Sequence, residues 1–454
     1  MVDIHELAEY SLKKASPHGE VIIGVENILQ HQIRIANSEL ELFKQWKDIN
    51  LDIFVAIGKK TGSTSIINPT FEIIDQQIPK LISFIEGLEP SDLFAGIQDE
   101  PKTPSQVEGL FDKRMKDFPE KAPEMLNAAI NEAEIAGARR TAGSMFFDEI
   151  DTCVQTSHGF DGSYKTTSYE LTLRSFVDAE SSGQGISVGR SLGTIESDVV
   201  KAGRESGEIA KMAVGGKQGK AGTYDLVLHP TVAASIMGDL LGGANPVMML
   251  MGMSSFNDRI GEKLGVDAFT VTDDGTKANG LGSTPFDIEG TNTQKTPIFD
   301  KGALVGIVHN ATSAKMFGTQ STGNSQLIEF WTGSKLLVPG ATNYVFEPGN
   351  HSFEELLESS KPTIYVTSNW YLRYTNQIEG LFSTIPRDGM FIIEDGEISK
   401  PIQKLRITDN LLRMIKNIEA MSKETRQVKW WEVETPTFIS PIRIKDVPMT
   451  AATQ

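Results

Sequence analysis

Between Tyr169 and Val177 the chain alternates apolar and polar residues with period two. Tyr169, Leu171, Leu173 and Val177 stand against Glu170, Thr172, Arg174 and Asp178. Successive side chains of an extended strand point to opposite faces, so the pattern requires one buried and one wet face, as in an antiparallel sheet. Strand-like segments elsewhere do not alternate with helices regularly enough for a doubly wound sheet. The expected class is α+β: an N-terminal α/β portion with antiparallel sheets, then a β-rich C-terminal domain.

Three blocks follow from the pattern, in line with 454 residues at roughly 150 per domain. The first, 1–105, opens with an amphipathic helix carrying Ile4, Leu7 and Leu12. β-branched segments follow at 20–25, 32–36, 40–44 and 51–58, with a hairpin turn at Gly58-Lys59-Lys60-Thr61-Gly62. A helix is predicted over 71–86, and 89–103, with Pro90 and Pro101, reads as a linker. The second block, 106–222, completes the N-terminal domain. Its helix has Pro123 in the first turn, Met125, Ile130 and Ala133 on one face, and Gly137 at the C-terminal cap. The glycine- and lysine-bearing stretch 215–222 marks the boundary to the third block, 223–454.

A net charge of −17 repels phosphate backbones, so direct nucleic-acid contact is not expected. The most apolar stretch, 246–253, is too short to cross a bilayer. The single cysteine, Cys153, fits a reducing compartment, and the start of the chain does not read as a signal peptide, so a cytoplasmic location is expected.

Catalytic patterns are weak. Gly58 to Ser63 and Gly215 to Lys220 both miss the spacing of a phosphate-binding loop, and Gly280-Leu281-Gly282 has nothing behind it to suggest a dinucleotide site. Catalytic zinc needs three ligands, commonly with two histidines about one helical turn apart. No two of His5, His18, His31, His158, His229, His309 and His351 have that spacing. Cys153 with His158 suggests a thiolate–imidazole pair, but nothing in the spacing puts them on one face, and a free cysteine is often a small buried hydrophobe. Asp273-Asp274-Gly275 reads as a turn. The residue pattern alone offers no catalytic constellation.

Several segments nonetheless resemble the TldD/PmbA family of peptide-processing proteins, also described as modulators of DNA gyrase. They are His31 to Glu39, Leu281 to Asp287 with Glu289-Gly290, and Gln294-Lys295 through Gly306 and Asn310. Phe317-Gly318, Ser321 to Asn324, Pro339 to Asn343, Glu347-Pro348-Gly349, Glu394 to Ile398 and Asn410 to Asn417 continue in the family's order. The active branch of the family carries a His-Glu-x-x-x-His zinc helix and a late cysteine. In the register set by Pro230, Ala233, Gly242 and Ala244, these positions fall on Gly238, Asp239 and Gly243, and the late cysteine has no counterpart.

The resemblance is therefore to the zinc-less PmbA (TldE) branch. It implies a non-catalytic subunit of a metallopeptidase complex acting on small or unfolded peptides. No cofactor is expected in this chain, zinc is expected in a TldD-like partner, and self-association stays open. Asn37, Asn324 and Asn343 are substrate-binding candidates because amides can hydrogen-bond a peptide backbone, although they equally suit turns. Two other readings remain: a stand-alone homodimeric peptidase with unidentified catalytic residues, and a non-enzymatic binding protein related to gyrase modulation.

Overall fold

The computed structural model describes residues 3–100, 103–329 and 335–451, so Pro101 of the expected linker lies outside the described residues. The N-terminal half opens with α1 (Ile4–Ala15), whose first turn is capped by the Asp3 side chain accepting from His5 N–H. β1 (Glu20–Ala36), β2 (Glu39–Ile57) and β3 (Lys60–Ile67) follow, then α2 (Phe71–Glu86) and α3 (Phe118–Ala136). β4 (Arg140–Thr156), β5 (Asp161–Phe176), β6 (Ser182–Gly189) and α4 (Leu192–Met212) complete the half. The six strands form one antiparallel sheet in the order β3-β2-β1-β4-β5-β6.

The alternation in β5 holds for Tyr169, Leu171 and Leu173, which are buried, while Val177 lies just past the strand and is half-buried. The four segments expected between 20 and 58 are two strands of 17 and 19 residues. Their middles, around 26–30 and 45–50, carry no clean alternation because they are half-buried or exposed on both faces. Ladder pairing with strands on either side keeps β1 extended there, and side-chain burial does not. The β1–β2 turn is Asn37-Ser38, both at positive φ (51° and 62°), as a two-residue type I′ turn requires. The next turn uses Gly58 at φ 60°.

Odd-numbered residues of β1 face the helices. Val21, Ile23 and Val25 pack beneath α1 and α2, and Ile33 and Ile35 beneath α3 and α4. Ile22 points the other way, with Phe54, Phe94 and Ile97. The stretch expected to be a linker is thus docked on the sheet by Phe94 and Ile97. The helix expected to begin near Pro123 begins at Phe118, leaving Pro123 inside it and Pro119 in the first turn. A short helical turn, Lys113–Asp117, runs directly into it and starts it early.

The C-terminal half comprises β7 (Lys217–Gln218), β8 (Gly222–Leu228), α5 (Pro230–Gly242), α6 (Pro246–Leu250), β9 (Val271–Asp274), β10 (Lys295–Asp300) and β11 (Ala303–Leu304). Next come α7 (Ala311–Phe317), β12 (Ser325–Glu329), β13 (Lys335–Pro339), β14 (Tyr344–Phe346), α8 (Phe353–Leu357), β15 (Thr363–Asn376) and β16 (Leu381–Glu394). β17 (Glu397–Gln403), β18 (Leu405–Asn410), α9 (Leu411–Lys416), β19 (Ile418–Met421), β20 (Arg426–Trp430), β21 (Val433–Ile439) and β22 (Ile442–Ala451) finish it. β15, β8, β22, β18 and β16 pair in sequence, and β16 pairs back onto β15, so this sheet closes on itself. A second sheet runs β11-β10-β9-β14-β21-β20. α5 is apolar nearly all round, which commits it to burial, and it shares one core with both sheets. The class is α+β, as expected. Among the described residues no helix is long and apolar enough to cross a membrane.

Buried polar contacts join the halves. Arg174 donates to Asp388, a carboxylate with no side-chain exposure, at 2.6 and 2.9 Å. Arg190, after β6, is 4% exposed and has no carboxylate partner among the described residues. Its guanidinium donates to the carbonyls of Gly280 (2.8 Å), Leu281 (2.7 Å), Ser283 and Thr167 (both 3.2 Å). Arg190→Met would take a buried donor away from all four carbonyls, of which Gly280 O would keep only the Ser283 N–H. It should lower unfolding stability by about 3–5 kcal/mol in urea titrations, and a loss below about 1 kcal/mol would remove Arg190 as the tie between the halves.

Candidate functional site

α5 starts at His229, whose ring accepts from Thr231 N–H, and Pro230 occupies its first turn. Of its thirteen residues all are buried except Gly238, Asp239 and Gly242. These three open onto a cavity of about 470 Å³ also lined by Tyr344, Leu372, Arg373, Trp431, Glu432 and Glu434. Gly238 and Gly242 are four residues apart and share a helix face. A Cβ placed on either meets nothing within 4 Å. Gly243, five residues from Gly238, turns about 140° away around the helix. A Cβ there would meet Leu240 O at 3.2 Å and the Phe256 ring at 3.4 Å. The cavity is thus faced by 238, 239 and 242, whereas 243 faces the core.

Burial pushes the Asp239 carboxyl up to about 6, and the Glu432 charge adds to the effect. One Asp239 carboxylate oxygen is buried with no hydrogen-bond partner among the described residues. Glu432 accepts from Tyr371 N–H at 2.5 Å, and Arg373 donates to Leu372 O at 2.7 Å beside the Tyr371 ring. Trp431 is half exposed at the rim. The resemblance places at this helix the zinc motif of the family's active branch, and the residues here do not fit that ion. Glycine donates nothing, and neither histidine nor cysteine lines the cavity. The carboxylates present share their space with the Arg373 cation, whereas zinc favours imidazole and thiolate donors. No chemical step through a metal follows from this cavity.

A second cavity, about 880 Å³, lies at the opposite end of α5, where Glu205, His229 and Arg426 pair with one another. His229 Nε2 is 2.9 Å from Glu205 Oε1, and Arg426 donates to both Glu205 oxygens at 3.1 Å. Despite burial, Arg426 and His229 hold Glu205 down to about 2.

The asparagine candidates separate. Asn37 is exposed at the β1–β2 turn. Asn324 and Asn343 are buried and meet at Asp273. Asp273 accepts from Asn324 Nδ2 (2.6 Å), Thr342 N–H (2.6 Å), Thr342 Oγ1 (3.0 Å) and Asn343 N–H (3.1 Å). Burial raises its pKa to about 6 against these four donors. Asn343 also donates to Asp274 O and Ser283 Oγ and accepts from Gly282 N–H. Both amides hold loops through these bonds, and Asn324 also lines a separate cavity of about 310 Å³.

Cys153 is buried, and burial pushes its thiol up to about 12. Its nearest imidazole is that of His5, with Nδ1 at 3.5 Å. His158 instead faces Glu20, Asp99 and the Gln98 carbonyl, so Cys153 and His158 do not pair, and the cysteine is buried, as the sequence favoured. Arg373, Trp431, Glu432 and Glu434 carried no sequence signal linking them to α5, because over 130 residues separate them from it. The Trp430-Trp431-Glu432 run, aromatic and charged, was the one visible hint.

Two substitutions probe the helix face. Gly238→Ala should stabilise the chain by about 0.5–1 kcal/mol, since alanine removes the helical penalty of glycine and fills only open space. Equilibrium urea unfolding checks this, and a destabilised variant would mean that the face is not open. The second is Asp239→Asn. With a folded pKa near 6 and an unfolded value near 3.9, Asp239 holds its proton more tightly when folded. Its stabilising contribution is complete below about pH 4 and is lost as pH rises towards 6 and beyond. Asp239→Asn should therefore gain about 1–2 kcal/mol relative to the parent at pH 8 compared with pH 4.5, the full shift being reduced by residual water contact. An equal difference at both pH values would contradict the raised carboxyl.

A family model described as the PmbA/TldA metallopeptidase C-terminal domain matches residues 221–451. A metalloprotease of Methanothermobacter thermautotrophicus is 26% identical over 315 residues, 67% of this chain and 66% of that protein. One from Methanocaldococcus jannaschii is 28% identical over 207 residues, 45% of this chain and 44% of its own length. The chain thus spans less than two thirds of these relatives. A metalloprotease PmbA homolog of Haemophilus influenzae is 22% identical over 90% of this chain and 88% of its own. In fold, the chain is similar to TldE of Thermococcus kodakarensis, with TM-score 0.84, 19% identity and coverage of 98% and 99%. It is also similar to a Thermotoga maritima structure described as a DNA gyrase modulator, with TM-score 0.81, 22% identity and coverage of 99% and 100%.

Proposed function

The chain belongs to the PmbA/TldD metallopeptidase family, and we propose that it is a partner subunit that leaves peptide cleavage to a zinc-bearing TldD-type chain. The observation that carries this reading is the open face of α5. Of the two positions where the family's zinc helix carries histidine, Gly238 opens onto the cavity and Gly243 turns to the core, neither offers a donor atom, and Asp239 stands where that helix has glutamate. The cavity above them retains an aromatic rim, an arginine and carboxylates, which suit holding a peptide more than activating a water. Zinc and the attacking water belong, on this reading, to the partner, and the substrate is a small or unfolded peptide.

Affinity purification of the full chain from its native cells, with mass spectrometry of co-eluting proteins, tests this reading. The expected result is a stoichiometric partner carrying His-Glu-x-x-x-His, together with peptide hydrolysis that survives Asp239→Asn in this chain. A chain that elutes alone or only with itself and cleaves peptides would overturn the proposal, and loss of that cleavage in Asp239→Asn would favour the stand-alone peptidase.

A further inference from the structure

In the N-terminal half, well away in sequence from α5, three side chains from three elements converge. His5 stands in the first turn of α1, which the Asp3 side chain holds in place. Cys153 lies on β4, facing the core that α1 covers. Asp161 opens β5 directly across from Gln155, which puts it diagonal to Cys153 on the same face of the sheet. The Cys153 sulfur, a His5 ring nitrogen and an Asp161 carboxylate oxygen all lie within 4.8 Å of one another. Cys153 Sγ and His5 Nδ1 are 3.5 Å apart.

Without a metal that separation is a sulfur–imidazole hydrogen bond, and it also suits two ligands of one ion. Zinc binds thiolate sulfur at about 2.3 Å and imidazole nitrogen at about 2.0–2.1 Å, and a tetrahedral angle between them places the two donors about 3.5 Å apart. We propose that Cys153, His5 and Asp161 form a binding site for a zinc-class divalent cation. The set supplies one sulfur, one nitrogen and one oxygen donor, a combination that selects a borderline-soft ion over magnesium or calcium. Thiolate and carboxylate together neutralise a dication. His5 and Asp161 are exposed, so an ion can enter from their side and keep a water as its fourth ligand, although Cys153 itself is buried. Bound there, the ion ties the start of α1 to the β4–β5 hairpin.

A second group, Glu20, Asp99 and His158, has similar spacing but carries its own cation. Lys315 Nζ sits 2.9 Å from Asp99, and both ring nitrogens of His158 already face carboxylates. It also lacks a thiolate, so the Cys153 group is the stronger metal site of the two.

The test uses the purified full chain, stripped with a chelator and titrated with Co²⁺, a spectroscopic stand-in for zinc. Saturation at one equivalent is expected, with a thiolate-to-cobalt charge-transfer band and tetrahedral d–d bands, all reversed by Zn²⁺. Cys153→Ser should abolish the charge-transfer band. His5→Gln and Asp161→Asn alter exposed side chains and leave the core intact, and each should weaken binding at least about tenfold, a loss seen even for outer-shell partners of metal sites. Absence of a thiolate band in the parent chain, or a band of unchanged affinity in both surface variants, would overturn the site. None of these residues lines the α5 cavity, so this outcome is independent of whether a TldD-type partner is found.

Discussion

The buried carboxylate of Asp273 fixes the geometry on which both halves depend. Four donors from two distant loops converge on it, a number that only an acceptor-only group with two oxygens can take. Asn343, pinned by Asp273, in turn holds Gly282 N–H and Ser283 Oγ. The carbonyls of 280, 281 and 283 then receive Arg190, which also reaches Thr167 on β5. A continuous hydrogen-bonded path thus runs from the C-terminal core into the N-terminal sheet. Each group on it is satisfied by the next, so removing one member strands its neighbours in a place water does not reach.

α5 imposes the second constraint. A helix with apolar residues on nearly every side must be enclosed, and here the closed sheet and the β9–β14–β21 layer enclose it. Such a helix can open to a cavity only where side chains are missing or polar. Gly238 and Gly242 supply the missing side chains, at a helical cost of about 1 kcal/mol for an interior glycine. Asp239 supplies the polar group, and its raised pKa reflects how little water reaches it. The stability given up on this face keeps about 470 Å³ of space clear.

Much of the architecture was legible in the sequence, wherever local rules and tertiary packing agree. The β5 alternation, the helix over 71–86 and the glycine cap at 137 all appear as read. The long strands were harder, because residues such as Glu26 to Gln30 are held by ladder pairing on both sides and leave no apolar period. The docking of Phe94 and Ile97 was hidden by the prolines around them. At the site, the glycine face could be located only through the family register, and its third position, Gly243, proves to face Phe256. The bonds that hold Asn324 and Asn343 run to Asp273, which a turn-like Asp-Asp-Gly sequence gave no reason to place at the centre of a core.

The two ends of α5 show why burial of charge alone does not mark a functional site. At the N-terminal end buried His229 and half-buried Glu205 and Arg426 are paired with one another, so the group works as structure. At the C-terminal end Asp239 keeps an oxygen with no hydrogen-bond partner among the described residues, beside open space. An unsatisfied buried acceptor carries a cost of about 1–3 kcal/mol that the fold could remove with one substitution. Next to two glycines, it gives the C-terminal end of α5 room, polarity and unmet hydrogen-bonding capacity together, which is what the proposed peptide-holding role requires.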